Sequence, residues 1–266
     1  MGNSSRGFTI IETVLFLAVT GLLILTIIAG AGTNINIQRY RDAVESFKSE
    51  TQSQYANLNS VENGRGADYI CDVSAKPIPD SNGELRGQSD CMIVGKYLRI
   101  DGSNIATYTI YAYETSSLVT AGTTDIQVLT NNYVFNALTT PDSDKELDWG
   151  TSIAWPKTLG DEVSNSSNPR TLGILFLRSP YSGQIYTFTS NDVPLKDSVS
   201  NSSIFAMIVD GENVPGRDDR VVCIESDGLF VNDNQALYIA PKASGPTSIE
   251  TVTNEVLTTK GVAARC

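Results

Sequence analysis

Between Thr13 and Thr33 the chain runs for 21 residues without a charge, and the residue just before that run is a glutamate. As a helix, this stretch rises about 32 Å, enough to cross a bilayer core of about 30 Å. A carboxylate at the edge of such a segment is costly in a low-dielectric setting unless something neutralises it. Glu12 is therefore the residue that most needs a reason. As a secretory signal peptide, Met1 to Arg6 would be the basic region and Ala29-Gly30-Ala31 the small-residue cleavage site. Against that, the apolar run is longer than the usual 7–15 residues of a signal core, and Glu12 interrupts its start. An uncleaved signal anchor is a second reading.

The third reading rests on Arg6-Gly7-Phe8-Thr9-Ile10-Ile11-Glu12. This stretch resembles the processing motif of type IV prepilins and of the type II secretion pseudopilins. The resemblance implies that a prepilin peptidase cuts after Gly7 and N-methylates Phe8. It also implies that Glu12, four residues on from the new N-terminus, serves filament assembly. Gly21 matches a glycine that lets the helix loosen in the filaments of many members. Where the family often has a proline, this chain has Ala29, and Gly30 and Gly32 stand nearby. The resemblance covers residues 1 to about 60. The physics gives Glu12 a role: cleavage creates an α-amine on Phe8 at the same depth, and Glu12 of one subunit would neutralise the amine of its neighbour and set the register. The alternative is an acid that sits at a helix N-terminus because the macrodipole favours it.

The bulk numbers exclude several classes. A net charge of −11 with scattered Lys and Arg argues against a nucleic-acid interface. A hydrophobic share of 41% excludes a multi-span membrane protein. There are no histidines, which removes the commonest general base and zinc ligand. Four cysteines, none spaced as CxxC, suit two disulfides in an oxidising compartment. Arg6 lies on one side of the run and Arg39, Arg41 and Lys48 on the other, so the positive-inside rule does not choose a topology. The cysteines and the resemblance place the bulk of the chain outside.

Beyond the apolar run, Tyr40, Val44, Phe47, Thr51, Tyr55 and Leu58 recur at steps of three and four, predicting one helix from about Phe8 to Leu58 with a stripe that packs on a head. Asn63-Gly64-Arg65-Gly66 would end it. Strands are expected at Met92–Ile100, Thr107–Glu114, Ile126–Leu129, Leu172–Arg178, Gln184–Thr189, Ile204–Asp210, Val221–Glu225 and Leu237–Ile239. In the Leu172–Arg178 strand, Leu172, Ile174 and Phe176 would face one way and Leu175 and Leu177 the other, so both faces should be covered. Thr247-x-x-Glu250 reads as a capping box opening a short helix that carries Ile249, Val252, Val256 and Leu257 on one face and stops at Gly261. Pro141 to Arg170 reads as a long polar insertion holding Trp149 and Trp155; the expectation is that both rings dock on the sheet, with an exposed binding surface as the alternative.

Four cysteines allow three pairings. A Cys71–Cys91 bridge would staple a polar loop and a Cys223–Cys266 bridge would pin the tail. That arrangement resembles the disulfide-bounded C-terminal region of type IV pilins and is the one expected. No GxSxG, HExxH, Walker A or strand-borne GxGxxG is present, so no enzyme activity is expected. Asp210, Glu212, Asp218, Asp219, Asp227 and Asp233 could offer hard oxygens to calcium, but they lack EF-hand spacing, and no cofactor or metal is expected.

The fold class expected is α+β: a long N-terminal helix, half of it membrane-embedded, packed on an antiparallel β-sheet head with a disulfide-pinned C-terminus. The expected division is a leader over 1–7, a transmembrane part over 8–33, an exported amphipathic part over 34–62 and a β-rich head over 63–266. The resemblance implies a minor pilin, held in the cytoplasmic membrane before assembly and in a cell-surface filament afterwards. It also implies the partners: the peptidase, other pilin subunits, a membrane assembly platform and a surface or host-cell ligand. The rival is a secreted or anchored extracellular domain with an ordinary signal.

Overall fold

The helical stripe organises the computed structural model, which describes residues 9–59, 69–80, 89–137, 140–158, 170–191, 199–213, 220–226 and 234–266. Helix α1 spans Ile10–Asn59, and the expected stop at Asn63–Gly66 lies outside the described residues. Next come strands β1 (Tyr69–Cys71), β2 (Pro77–Pro79), β3 (Cys91–Asp101) and β4 (Asn104–Glu114). Helix α2 (Asp125–Asn132) leads into β5 (Tyr133–Ala137), β6 (Ser143–Glu146), a 3-10 turn (Asp148–Gly150), β7 (Ser152–Ala154) and β8 (Lys157–Thr158). Strands β9 (Thr171–Arg178) and β10 (Ile185–Ser190) precede helix α3 (Asn201–Asn213). The chain continues through β11 (Arg220–Glu225), β12 (Gln235–Ile239), β13 (Ile249–Thr253), helix α4 (Asn254–Thr259) and β14 (Ala264–Arg265).

The fold is α+β, and among the described residues every strand pairing is antiparallel. It contains two principal sheets rather than one. The first has the order β10-β9-β3-β4-β5, with β6 also on β4; the second has the order β13-β12-β11-β7. The stripe residues Tyr40, Val44, Phe47, Tyr55 and Leu58 share one core with Leu98, Ile100, Ile174 and Phe176 of the first sheet and Val222, Ile224, Leu237 and Ile239 of the second. One helix face therefore covers both sheets. Leu175 and Leu177 belong to a separate cluster on the opposite face of the first sheet, covered by Val128 and Leu129 of α2 and Ile204, Met207 and Ile208 of α3. The alternation in β9 thus divides two cores, as its sequence predicts.

Three expectations are corrected. Ile126–Leu129 is not a strand but the body of α2, because Thr124 and Gln127 form a capping box in which each side chain takes the other's backbone N–H. Ile204–Asp210 is not a strand but part of α3: Ile204, Met207 and Ile208 are buried while Phe205 is 38% exposed, a helical spacing of three and four. The C-terminal helix starts later than expected. Ile249–Thr253 pairs as β13 with β12, a placement suited to its β-branched residues, and Glu250 bridges Lys260 at 2.9 Å instead of capping. Gly261, at φ 75°, still ends the helix.

The two sheets are sutured at Arg170. Its backbone N–H donates to the Ile153 carbonyl, Ile153 N–H donates to the Gly102 carbonyl, and Gly102 N–H returns to the Arg170 carbonyl. The Arg170 side chain is 1% exposed. It donates to the Val221 carbonyl at 3.0 Å and to Asn191 Oδ1 at 2.9 Å, and the guanidinium lies 4.6 Å from the Trp155 ring centroid. Burial, and secondarily the Arg220 cation, pull it down to about 10. Arg170→Lys should keep a cation but lose one of the two spanning bonds, lowering stability to urea by about 2 kcal/mol. Tyr97 holds a buried hydroxyl with no hydrogen-bond partner among the described residues. Since burying an unpaired hydroxyl is costly, Tyr97→Phe should leave the urea midpoint unchanged or raise it, by up to about 1 kcal/mol of stability.

Candidate functional site

The N-terminal half of α1 enters no core among the described residues. Its most apolar stretch is wholly unburied, and Ile10 and Leu25 are 83% and 69% exposed. It is long and apolar enough to span a membrane. In hydrocarbon every polar group needs a partner within the segment. Here the threonine hydroxyls supply their own. Thr13 donates to the Ile10 carbonyl, Thr20 to Phe16 and Thr26 to Leu23, each at 2.8 Å, and Thr33 donates to Gly30 at 3.1 Å. The segment is compatible with lipid in its polar atoms as well as its apolar ones.

Glu12 lies in the first turn of α1. Its backbone N–H donates to the Thr9 carbonyl at 3.1 Å and reaches Thr9 Oγ1 at 3.4 Å. Thr9 thus acts as an N-cap with Glu12 three residues on, a signal legible in Thr9-x-x-Glu12 that the sequence reading passed over. The Glu12 side chain is exposed, and its carboxylate has no partner among the described residues. Gly7 and Phe8 lie outside the described residues.

Gly21 sits in unbroken helix, and a Cβ there, or at Gly30 or Gly32, would meet nothing within 4 Å. Glycine in a helix interior costs about 0.5–1 kcal/mol relative to alanine. No contact among the described residues offsets that cost.

The junction between the halves is sharp. Tyr40 is the first fully buried residue of α1. Its hydroxyl donates to the Ile224 carbonyl at 2.7 Å and accepts from Gln235 N–H at 2.7 Å. Burial raises its phenol above the usual tyrosine range. At the distal end Arg178 donates to the Leu58 carbonyl at 3.3 Å. Helix and head are joined at both ends of the stripe, and midway Lys145 of β6 bridges Glu50 at 2.7 Å.

Cys71 and Cys91 are bridged, with Cα atoms 5.6 Å apart, and Cys223 and Cys266 are bridged, with Cα atoms 5.3 Å apart. The second bridge fixes the C-terminal segment to β11 of the second sheet. The described part of the polar insertion, residues 141–158 and 170, contributes β6, β7 and β8. Its tryptophans differ. Trp155 is half-buried over Arg170, whereas Trp149 is 53% exposed, at φ 60° and ψ 23°, with Arg39 4.9 Å from its ring centroid. The docking expectation therefore fails for Trp149, whose left-handed conformation follows a turn that Leu147 N–H anchors on the Ser103 carbonyl.

Of the acids considered for calcium, Asp218, Asp219, Asp227 and Asp233 lie outside the described residues, and the side chains of Asp210 and Glu212 do as well. Among the described residues no cluster of three His, Cys, Asp or Glu could hold a metal. A carboxylate cluster that sequence reasoning missed serves structure: Asp125 accepts from Ser179, Ser182 and Tyr186 hydroxyls at 2.7, 2.6 and 2.8 Å, tying the start of α2 to the β9–β10 turn.

No family model, curated protein or solved structure matches this chain.

If the glycines serve contacts beyond the monomer, Gly21→Ala should leave the unfolding temperature of the head unchanged. It should also raise the helix content of the isolated chain in detergent slightly, read by circular dichroism.

Proposed function

We propose that this chain is a minor subunit of a type IV pilus or a related filament, held first in the cytoplasmic membrane and then packed into the fibre through α1. One observation carries the reading: a single unbroken helix whose first half presents a long unburied apolar surface and whose second half buries one stripe in the head. A helix built only to anchor a secreted domain has no need of a carboxylate at its start or of glycines that no neighbour in the chain requires. A filament subunit has use for both. Cleavage after Gly7 by a prepilin peptidase leaves an amine on Phe8. In the assembled fibre Glu12 of one subunit pairs with that amine in the next, so that two charges, each costly alone in a low dielectric, stabilise one register. The head faces outward and offers its surface to other subunits, to the assembly platform or to a ligand. Nothing in this role requires catalysis.

The mature chain taken from sheared surface filaments should begin at an N-methylated Phe8 by mass spectrometry. Chains beginning near Gly32 and found only in the medium would instead make the N-terminus a signal peptide. Glu12→Leu should insert in the membrane at the wild-type level and be depleted from filaments at least tenfold, about 1.4 kcal/mol or more in docking; equal incorporation would remove Glu12 from the register argument.

A further inference from the structure

The rise from Glu12 to Arg39 along α1 is about 40 Å, close to the 40–45 Å of a bilayer with its headgroups. Arg39 is the first charge after Glu12, and Tyr40, the next residue, is already buried in the head. The head therefore begins where the headgroup layer of a spanned membrane lies. Trp149 stands at that level, its ring against Arg39 at 4.9 Å. Ile35, one turn nearer the membrane on the same helix face, is 48% exposed.

Resting on the membrane reading of α1, we infer that Trp149 and Arg39 form a headgroup contact that seats the head on the membrane surface, and that its lipid partner is zwitterionic. Four observations bear on it. Trp149 is a large aromatic left 53% exposed on the head, and tryptophan is the side chain that prefers the membrane–water interface, its ring amphipathic at headgroup level. The ring is held outward by a left-handed backbone at Trp149 and Gly150, φ 60° and 72°, a conformation that residues other than glycine seldom adopt. Arg39 has an aliphatic stem that can run along apolar surface while its cation reaches a phosphate. Exposed acids close to Trp149 in the chain and on the hairpin it is bonded to bear on the lipid charge. Glu146 and Asp148 are exposed on the same turn, and Asp101 is exposed on the β3–β4 hairpin that this turn is bonded to. An anionic headgroup would meet those carboxylates. A zwitterionic one offers phosphate to Arg39 and ammonium to the acids.

The chain has two tryptophans, so fluorescence can isolate the contact. The full chain carrying Trp155→Phe would be reconstituted in vesicles of phosphatidylethanolamine and phosphatidylcholine. Quenching of Trp149 by nitroxide at the headgroup, nitroxide at the acyl terminus and aqueous iodide would then be compared. The expected result is headgroup quenching several-fold stronger than acyl-terminal quenching, weak quenching by iodide, and a several-fold loss of the headgroup signal in Arg39→Ala. If Trp155→Phe does not fold, subtracting the signal of Trp149→Phe from the unsubstituted chain gives the same reading. A chain that floats with vesicles while Trp149 is quenched by iodide alone overturns the contact and leaves the membrane span standing. A Trp149 shielded from iodide and from both lipid labels is covered by another protein copy, which also overturns the contact. A chain that does not float with vesicles removes the span and the contact together.

Discussion

One helix carries two unlike surfaces, an apolar one that nothing in the described residues covers and a striped one that the head covers. Along the uncharged run from Thr13 to Thr33 the threonine hydroxyls close their hydrogen bonds on carbonyls of the same helix. Along its second half one stripe of six residues is spent on the interior of the head. The change falls within about one turn: Asn36 and Ile37 are partly buried, and Tyr40 is fully so. The positions of both sheets follow from that stripe, because it is the surface on which their inner faces meet. Had the stripe begun a turn later, the second sheet would have lost the contact that Tyr40 makes with Ile224 and Gln235.

The head depends on a second constraint, the join between its sheets. Arg170 brings a buried cation to that join, and no carboxylate pairs with it among the described residues. Its stabilisation comes from a carbonyl, an amide oxygen and the face of Trp155. Such an arrangement is costly in desolvation, and what it secures is geometry: the β3–β4 turn, β7 and the residue that leads into β9 close a ring of backbone hydrogen bonds. Asp125 does comparable work at the other end of β9 by gathering three hydroxyls.

Much of this was legible in the sequence, for identifiable reasons. The helical stripe was readable because its spacing runs uninterrupted over five turns. The two faces of β9 were readable because alternation in a strand is strict. The errors fall where local signals compete. At Ile126–Leu129 a short apolar run outweighed the capping box beside it. At Ile204–Asp210 an almost continuous apolar run hid the fact that only every third or fourth residue is buried. At Thr247-x-x-Glu250 the capping pattern was genuine in composition, yet β12 offered its edge to Ile249–Thr253 and pairing won. Arg170 and the stacking of Arg39 on Trp149 could not be read at all. Both depend on residues far apart in the chain that only the folded sheets bring together.

The absence of any hinge in α1 has a mechanical consequence. The helix passes from its exposed apolar half into the head without a loop or proline, and the head grips it at Tyr40, at Glu50 and at Leu58. A pull along the axis of α1 is therefore carried by the helix itself as by a shaft, while the sheets hang beside the load path. Twist behaves the same way: a rotation of the apolar half about its axis turns the whole head through the same angle. Neighbouring helices packed against the first half would thus dictate which face of the head points outward.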